Sequence, residues 1–436
     1  MTYQEALAWL EELGKFGIQL GLRRMERLAA LLGHPERRYR IVHVTGTNGK
    51  GSVSAMMAAA LAHCGISTGL YTSPHLVSYT ERMRLQGQEI SEADFARTLT
   101  SVRQAVEDMV AAGEESPTQF EVLTAQAFLW FAEQRAAYAV VEVGLGGLLD
   151  STNIVRPELT VITNVTLEHA DRCGGTLEGV ARHKAGILKE GVPAVTAARG
   201  MPLEVIRRTA AEKHAPLYVA GEDFLSRGAG VSDGRQKILF SLGKAGQDGT
   251  ASYEVSLLGD HQRENAAVAI QAFRVLRAQD RRLTEAALRE ALCETVWPGR
   301  FEAIVLGGGR ILVDGAHNPA GIGALRTALD EYFPAGSRVF LLGILGDKDS
   351  ETMLKTLLRP EDRVVMTRPD SERAADPALL AAKAGVREVR VEPNPAQALE
   401  EALSMAGDGS LLVVTGSLYL IGKIRTLLLA KGGRKT

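Results

Sequence analysis

The sequence predicts an α/β protein in which a mostly parallel sheet forms a first domain and a smaller α/β domain follows. Short β-branched runs alternate with helical segments along the 436-residue chain, a pattern typical of parallel sheets covered by helices. A chain of this length is also too long for one compact core. Because Trp297-Pro298-Gly299-Arg300 breaks the pattern, we expect domains at 1–295 and 301–436, joined by a linker at 296–300.

The elements of the first domain follow from local patterns. Two amphipathic helices are expected within residues 2–32, and residues 216–258 resemble a small antiparallel appendage because their apolar runs are short and alternating. Thr118 and Glu121 have the spacing of a capping box that starts a helix. The remaining predictions are strands at 40–43, 68–72, 138–143, 159–163 and 194–197, and helices at 53–61, 91–112, 118–134, 176–190, 262–278 and 284–293.

The second domain repeats the alternation on a smaller scale. Strands are expected near residues 310, 338, 363, 388 and 411, with helices between them. This order is typical of a Rossmann-like α/β sheet.

Composition narrows the class of protein. Hydrophobic residues make up 45% and charged residues 23% of the chain, as in an ordinary globular enzyme. Lys plus Arg number 50 against 52 Asp plus Glu, so no nucleic-acid partner is expected. The three cysteines form neither a disulfide framework nor a zinc pattern. No apolar run has the length of a membrane span and no signal peptide is recognisable, so we expect a cytoplasmic monomer without a membrane partner.

The residues from Val44 to Ser52 predict a phosphate-binding loop. A β-branched run precedes them and an Ala/Met/Leu helix follows, so the segment is predicted to fold as strand, glycine-rich turn and helix. Such a turn directs backbone N–H groups and a helix N-terminus at a polyanion, and Lys50 can reach the terminal phosphates. The spacing departs from the common Walker loop, and glycine-rich turns also occur without a ligand, so the loop alone leaves that alternative open.

Other polar residues directly follow predicted strands. Ser73, Glu142 and the segment 164–169 each come at a strand end, and parallel sheets bind ligands at that edge. Bound ATP usually carries Mg²⁺ held by oxygen ligands. We interpret Glu142 as a metal ligand, whereas Ser73 fits a Ser-Pro turn equally well and His169 on its own fits a helix cap.

Six motifs in order resemble one family. They are Thr45 to Ser52, Thr72-Ser73-Pro74-His75-Leu76, Gly144-Leu145-Gly146-Gly147 with Asp150-Ser151-Thr152-Asn153, the segment 164–169, Lys184-Ala185-Gly186-Ile187, and Asp314-Gly315-Ala316-His317-Asn318-Pro319. Together they resemble folylpolyglutamate synthase/dihydrofolate synthase, the folate branch of the Mur ligase family, over nearly the whole chain.

The resemblance implies an ATP-dependent ligase that joins L-glutamate to a folate or to dihydropteroate, with ATP and Mg²⁺. It implies that Lys184 is carbamylated, although a lysine in this pattern is more often on a helix surface. Lys50, Lys184 and His169 would be the catalytic residues, and Ser73, Glu142 and His169 the metal ligands. The implied ATP-binding residues are Thr47, Asn48, Gly49, Lys50, Gly51, Ser52, Asn265, Arg300, Asp314 and His317. The implied substrate-binding residues are Gly21, Leu22, Arg23, Arg24, Thr118, Gln119, Phe120, Glu121, Gly147, Leu148, Leu149 and Ser417.

The chain departs from the family pattern on the pterin side. Leu148 stands where dihydrofolate-making relatives often carry Arg, and Glu168 stands where Asp is usual. Tyr79-Thr80-Glu81-Arg82 replaces a more usual Phe-Arg-Glu-Arg. These departures leave the ATP residues intact.

Three alternatives remain open from sequence. One is a Mur ligase of peptidoglycan precursor synthesis, disfavoured because no separate uridine-nucleotide domain precedes residue 40. Another is a nucleotide-switched binding protein that hydrolyses ATP or GTP without ligation. A dehydrogenase is the weakest, because the loop lacks the Gly-x-Gly-x-x-Gly spacing.

Overall fold

The computed structural model describes residues 1–14, 17, 19–168, 170–243, 249–334, 338–407 and 410–435. The chain forms two compact units. The first comprises Met1–Ala229, Lys237–Val255 and Glu264–Thr295. The second comprises Gly230–Gln236, Ser256–Arg263 and Val296–Thr436. The functional division at residues 1–295 and 301–436 stays a prediction.

The first unit is built on an eight-stranded sheet in the order β4-β3-β2-β5-β1-β6-β7-β8. Six neighbouring strands pair in parallel, in the order β2, β5, β1, β6, β7 and β8. A short antiparallel hairpin, β3 and β4, forms one edge of the sheet. Its strands are β1 Arg40–Thr45, β2 Thr68–Tyr71, β3 Met83–Leu85, β4 Gln88–Glu89, β5 Tyr138–Glu142, β6 Leu159–Ile162, β7 Ala194–Thr196 and β8 Leu217–Val219.

Helices surround this sheet, as expected for parallel strands that are apolar on both faces. One core contains Tyr71 and Val141 of the sheet together with Phe128 and Phe131 from a helix, and another contains Ile162 and Val219 with helical residues. The helices are α1 Tyr3–Leu13, α2 Arg23–Leu31, α3 Lys50–His63, α4 Glu92–Ala111, α5 Gln119–Glu133, α6 Leu177–Ala185, α7 Gly200–Glu212, α8 Asp260–Arg277 and α9 Glu285–Glu294.

Two local predictions for this region were wrong. Residues 217–219 form β8 of the large sheet, paired in parallel with β7, because this short apolar run extends the parallel array. The appendage starts later, as a separate three-stranded sheet of β9 Phe224–Ser232, β10 Arg235–Leu242 and β11 Thr250–Val255. Helix α6 ends at Ala185 rather than near Glu190 because Gly186 follows it.

The second unit contains a seven-stranded sheet in the order β16-β15-β14-β17-β13-β12-β18. The five strands from β16 to β13 in this order pair in parallel, and they include the five strands predicted from sequence. The sequence missed β12, which pairs antiparallel with β13. The strands are β12 Glu302–Leu306, β13 Gly309–Val313, β14 Arg338–Leu342, β15 Arg363–Met366, β16 Glu388–Val391, β17 Leu411–Thr415 and β18 Arg434–Lys435.

Helices also cover this second sheet. Leu325 and Leu329 from one helix and Met353 and Leu357 from the next share a core with Phe340 of the sheet. The helices are α10 Pro319–Tyr332, α11 Ser350–Leu357, α12 Pro377–Ala381, α13 Pro395–Ala406 and α14 Leu418–Ala430. No helix among the described residues combines the length and the apolar character needed to cross a membrane.

Candidate active site

The phosphate loop connects β1 to α3 at the carboxyl edge of the first sheet. Gly46 has a φ of +153° and Gly49 a φ of +85°, which L side chains rarely adopt. A Cβ at Gly46 would lie 1.8 Å from the Thr163 hydroxyl oxygen, and one at Gly49 would lie 2.2 Å from Asn265 Oδ1. Both positions therefore require glycine for backbone conformation and for close approach.

Neighbouring residues hold this loop in place. The Lys50 ammonium donates to the carbonyl oxygens of Gly46 at 3.0 Å and Thr47 at 3.1 Å. Asn48 N–H donates to Asn164 Oδ1 at 2.9 Å, and the Thr163 hydroxyl donates to Asn48 O at 2.6 Å. The residues after β6 thus support the loop, a role that sequence reasoning did not assign to Thr163 or Asn164.

The structure places the remaining loop residues on the first turn of α3. Lys50 begins the helix, and Gly51 and Ser52 follow it. Ser52 and Thr47 are buried. The N-terminal end of α3 therefore lies beside the loop, where its dipole favours an anion.

Glu142 and Ser73 meet at the same edge. Glu142 ends β5 next to Val44 of β1 and is 4% exposed. Its carboxylate accepts a hydrogen bond from Ser73 N–H at 3.3 Å. Among the described residues no three His, Cys, Asp or Glu side chains form a metal-binding group. The third predicted ligand, His169, lies outside the described residues.

Lys184 lies on α6 and is only 6% exposed, so the structure does not place it on a helix surface. Burial and, secondarily, the positive charge of Lys50 lower the pKa of Lys184 to about 7. Electrostatic interactions with Cys173 and Glu168 raise this pKa, but by less. The side chain is thus shared between its neutral and charged forms near neutral pH.

The predicted substrate-binding residues from three segments converge. Arg24 Nε donates to Glu121 Oε2 at 3.1 Å, and Thr118 and Glu121 form the predicted capping box of α5. Phe120 packs on Gly144, where a Cβ would come within 2.3 Å of its ring.

The rest of this set lies nearby. Gly21 N–H donates to Leu149 O at 3.3 Å, Leu22 precedes α2, and Arg23 is its exposed first residue. Gln119 Nε2 donates to Leu10 O at 2.9 Å and to the Tyr79 hydroxyl at 3.1 Å. Segments 21–24, 118–121 and 147–149 are therefore neighbours.

The loop of Gly147, Leu148 and Leu149 lies against the end of α6. Leu148 N–H donates to His183 O at 2.7 Å, and a Cβ at Gly147 would lie 2.7 Å from the same carbonyl oxygen. Leu148 is 43% exposed. The loop thus presents an apolar side chain at this position.

The sequence analysis did not predict a buried network of polar side chains behind this loop. Asp150 accepts from the Thr152 hydroxyl at 2.5 Å and from Leu145 N–H at 2.9 Å. The Thr152 hydroxyl has a single proton, which it donates to Asp150. It therefore accepts a hydrogen bond from His43 Nε2 at 2.8 Å. Burial, with the charge of Lys189, lowers the pKa of His43 to about 3, so the ring is neutral. The sequence signal that could have predicted this network is the Asp-x-Thr-Asn spacing of residues 150–153.

In the second unit the predicted residues lie around the ends of β13 and β17. The Asp314 carboxylate accepts from Phe301 N–H at 2.8 Å and Ala316 N–H at 2.9 Å. Arg300 lies against Gly315, whose Cβ would come within 2.1 Å of Nη1. His317 Nδ1 donates to Gly315 O at 2.9 Å. Ser417 caps α14 by accepting from Tyr419 N–H.

Comparison with known proteins places the chain in a family. The family model described as "Mur ligase middle domain" matches residues 44–273, and that described as "Mur ligase, glutamate ligase domain" matches residues 299–418. A dihydrofolate synthase/folylpolyglutamate synthase of Bacillus subtilis (strain 168) is 36% identical over 433 residues, which cover 98% of this chain and 99% of that protein. The chain belongs to the Mur ligase family.

Solved structures of Mur ligase family members agree. A folylpolyglutamate synthase of Mycobacterium tuberculosis, complexed with ADP and AMPPCP, superposes with a TM-score of 0.89 at 32% identity over 100% of both chains. Escherichia coli FolC in complex with DHPP and ADP gives 0.86 at 30% identity over 98% of both. The predicted resemblance and the predicted α/β fold class are confirmed.

Proposed function

We propose that the chain is an ATP-dependent ligase that joins L-glutamate to a folate, to dihydropteroate, or to both, and releases ADP and phosphate. The observation that carries this proposal is the grouping at one sheet edge of a phosphate loop with Lys50 and the buried Glu142 beside Ser73. The buried Lys184 on α6 is near enough to Lys50 for their charges to interact. The relatives' names and their nucleotide complexes support it.

The nucleotide would bind at the phosphate loop. The backbone N–H groups of Thr47 and Asn48 are bonded to Asn164, so the N–H groups from Gly49 to Ser52 and the α3 terminus would receive the triphosphate, and the Lys50 ammonium has the charge needed near its end. Asn265, packed on Gly49, would complete this side. We also propose Arg300, Asp314 and His317 as ATP-binding residues of the second unit, because the family resemblance extends to them.

Magnesium is the proposed metal. The Glu142 carboxylate and the Ser73 hydroxyl are hard oxygen donors of the kind that Mg²⁺ prefers, and a phosphate-bound ion needs few protein ligands. With His169 as the third ligand, the ion would offset the negative charge of the phosphates when bound.

Carbamylation of Lys184 is chemically reasonable. Carbon dioxide reacts only with a neutral amine, and a pKa lowered to about 7 leaves a large neutral fraction at neutral pH. The product is an anion, which removes the unfavourable proximity of two cations, Lys50 and Lys184. We propose that Lys184 carries this modification in the active enzyme.

The reaction would proceed in two steps. The substrate carboxylate attacks the γ-phosphorus of ATP, which forms an acyl phosphate and expels ADP while Lys50 offsets the developing charge. The neutral glutamate amine then attacks the acyl carbon, the amide bond forms, phosphate leaves with the electrons of the C–O bond, and the nitrogen loses one proton to phosphate or water. The loop 147–149 and residues 118–121 would bind and orient the acceptor.

The test is an assay of ADP formation with dihydropteroate or tetrahydrofolate as acceptor, each with and without L-glutamate. A ligase requires acceptor and glutamate together, and labelled glutamate must enter the product. Nucleotide hydrolysis that is independent of glutamate would favour the nucleotide-switched alternative. Turnover with a uridine-nucleotide-linked peptide alone would favour the peptidoglycan alternative.

Other expectations remain predictions. They are the cytoplasmic location, the monomeric state and the lack of nucleic-acid or membrane partners.

A further inference from the structure

Asn153 bridges two parts of the proposed active site. It lies in a 3₁₀ turn, Ser151–Ile154, and is 4% exposed. Its Nδ2 donates to Leu148 O at 3.0 Å and to Gly186 O at 3.1 Å. One carbonyl belongs to the acceptor loop 147–149, and the other to the residue that ends the Lys184 helix, α6.

The orientation of this amide is determined by its neighbours. Both facing atoms are carbonyl oxygens, which only accept, so the NH₂ group must lie between them. The Oδ1 is buried and accepts no hydrogen bond from the part of the chain that the structure describes. A buried carbonyl left unpaired is unfavourable, and the two bonds made by Nδ2 offset that cost.

Asn153 is itself rigidly held. Its N–H donates to Asp150 O at 2.8 Å, and its carbonyl oxygen accepts from Lys189 Nζ at 2.9 Å. The loop and helix also meet closely, because a Cβ at Gly186 would lie 2.5 Å from Leu148 Cβ. The bridge therefore joins two backbones that are already in contact.

We propose that Asn153 is a positioning residue that locks the acceptor loop to the Lys184 helix, so that acceptor and Lys184 keep a fixed distance. This inference rests on the proposed function of the loop and of Lys184. Asn153 touches neither nucleotide nor reacting atoms in this proposal. Loss of the bridge should therefore affect acceptor use and leave ATP affinity intact.

The experiment compares Asn153→Ala with Asn153→Leu, which keeps a side chain branched at Cγ but has no hydrogen-bond donor. We expect kcat/KM for the acceptor to fall about tenfold or more in both, because small displacements of reacting groups have large kinetic effects. The KM for ATP should stay within about twofold of wild type, so that the effect is confined to use of the acceptor. Restoration of acceptor use by Asn153→Leu would show that packing alone matters and would overturn the proposal.

Ser91→Ala is the matched control. Ser91 is exposed and caps α4 in the first unit, the unit that contains Asn153, so its loss destabilises that unit without touching the bridge. We expect Ser91→Ala to keep wild-type kinetics at a comparable loss of melting temperature. If both variants changed acceptor use alike, general destabilisation would explain the effect and the inference would fail.

A second readout follows the lysine directly. With ¹³C-bicarbonate, the carbamate carbonyl signal of Lys184 should weaken in Asn153→Ala relative to Ser91→Ala. Absence of that signal in wild type would refute carbamylation, whereas the bridge would still be judged by the acceptor kinetics. If Asn153→Ala does not fold, Asn153→Ser replaces it, and equal KM changes for ATP and acceptor there would refute a selective role.

Discussion

Lys50 is the residue whose position most directly serves phosphoryl transfer. Its ammonium is held at the loop by two carbonyl oxygens, beside the N-terminal end of α3. We expect Lys50→Ala to lower kcat by about 10²–10³-fold, the usual effect of removing one group that stabilises transition-state charge. ADP formation measures the loss, and a circular dichroism melt tests the fold. Ligation at the wild-type rate would contradict the assignment.

Lys184 predicts a pH dependence of stability. Its pKa is about 7 in the folded chain against 10.5 for an unperturbed lysine, so the unfolded state binds more protons between these values. The stability of the folded chain therefore rises with pH across that window. The free-energy cost of burying the charged Lys184 amine is fully present below about pH 7. We expect Lys184→Met to have a higher free energy of unfolding than wild type at pH 6. This difference, the stability gap, should narrow toward pH 10.

Urea unfolding in carbon dioxide-free buffer measures this gap, because the lysine then stays unmodified. Lys237→Met is the control, since Lys237 is exposed on β10 and the same substitution there involves no buried amine. A gap for Lys184→Met that is constant from pH 6 to pH 10 would show that the group does not titrate as described.

At the scale of elements, α3 offers a comparison between its two ends. Gly49 at its N-terminus and Gly65 just beyond its C-terminus have similar φ values, +85° and +72°. A Cβ at Gly65 would meet no atom within 4 Å, whereas one at Gly49 would meet Asn265. We expect Gly65→Ala to cost about 1–2 kcal/mol of unfolding free energy from backbone strain, and Gly49→Ala to cost more.

The excess cost should come from Asn265. Adding Asn265→Ala to Gly49→Ala should therefore recover part of the lost stability in urea unfolding, whereas adding it to Gly65→Ala should not. Equal costs for the two glycine variants would mean that the loop shifts freely to accommodate a side chain.

Elements differ in how far the sequence predicts them. The capping box joins Thr118 and Glu121, which are three positions apart, so its pattern is visible in sequence and appears in the structure. The approach of Asn265 to Gly49 and the bridge from Asn153 to Gly186 join segments far apart in the chain. Their partners are set by packing of whole elements, which local patterns do not encode. Grouping at a sheet edge was predictable, because parallel strands end together.

For the whole molecule, the two units have separate cores. Phe128 and Phe131 belong to a core of the first unit, and Phe340 and Leu329 to that of the second. Domains with their own cores commonly depart from a single two-state transition. We therefore expect the units to unfold at different urea concentrations.

The tryptophans provide a probe of each unit. Trp9 and Trp130 lie in the first unit and Trp297 in the second. Fluorescence of Trp297→Phe therefore follows the first unit, and that of the double variant Trp9→Phe/Trp130→Phe follows the second. We expect the two midpoints to differ, while circular dichroism of each variant checks that the substitutions have not moved the transitions. Coincident midpoints from both probes would mean that the two cores unfold as one cooperative body.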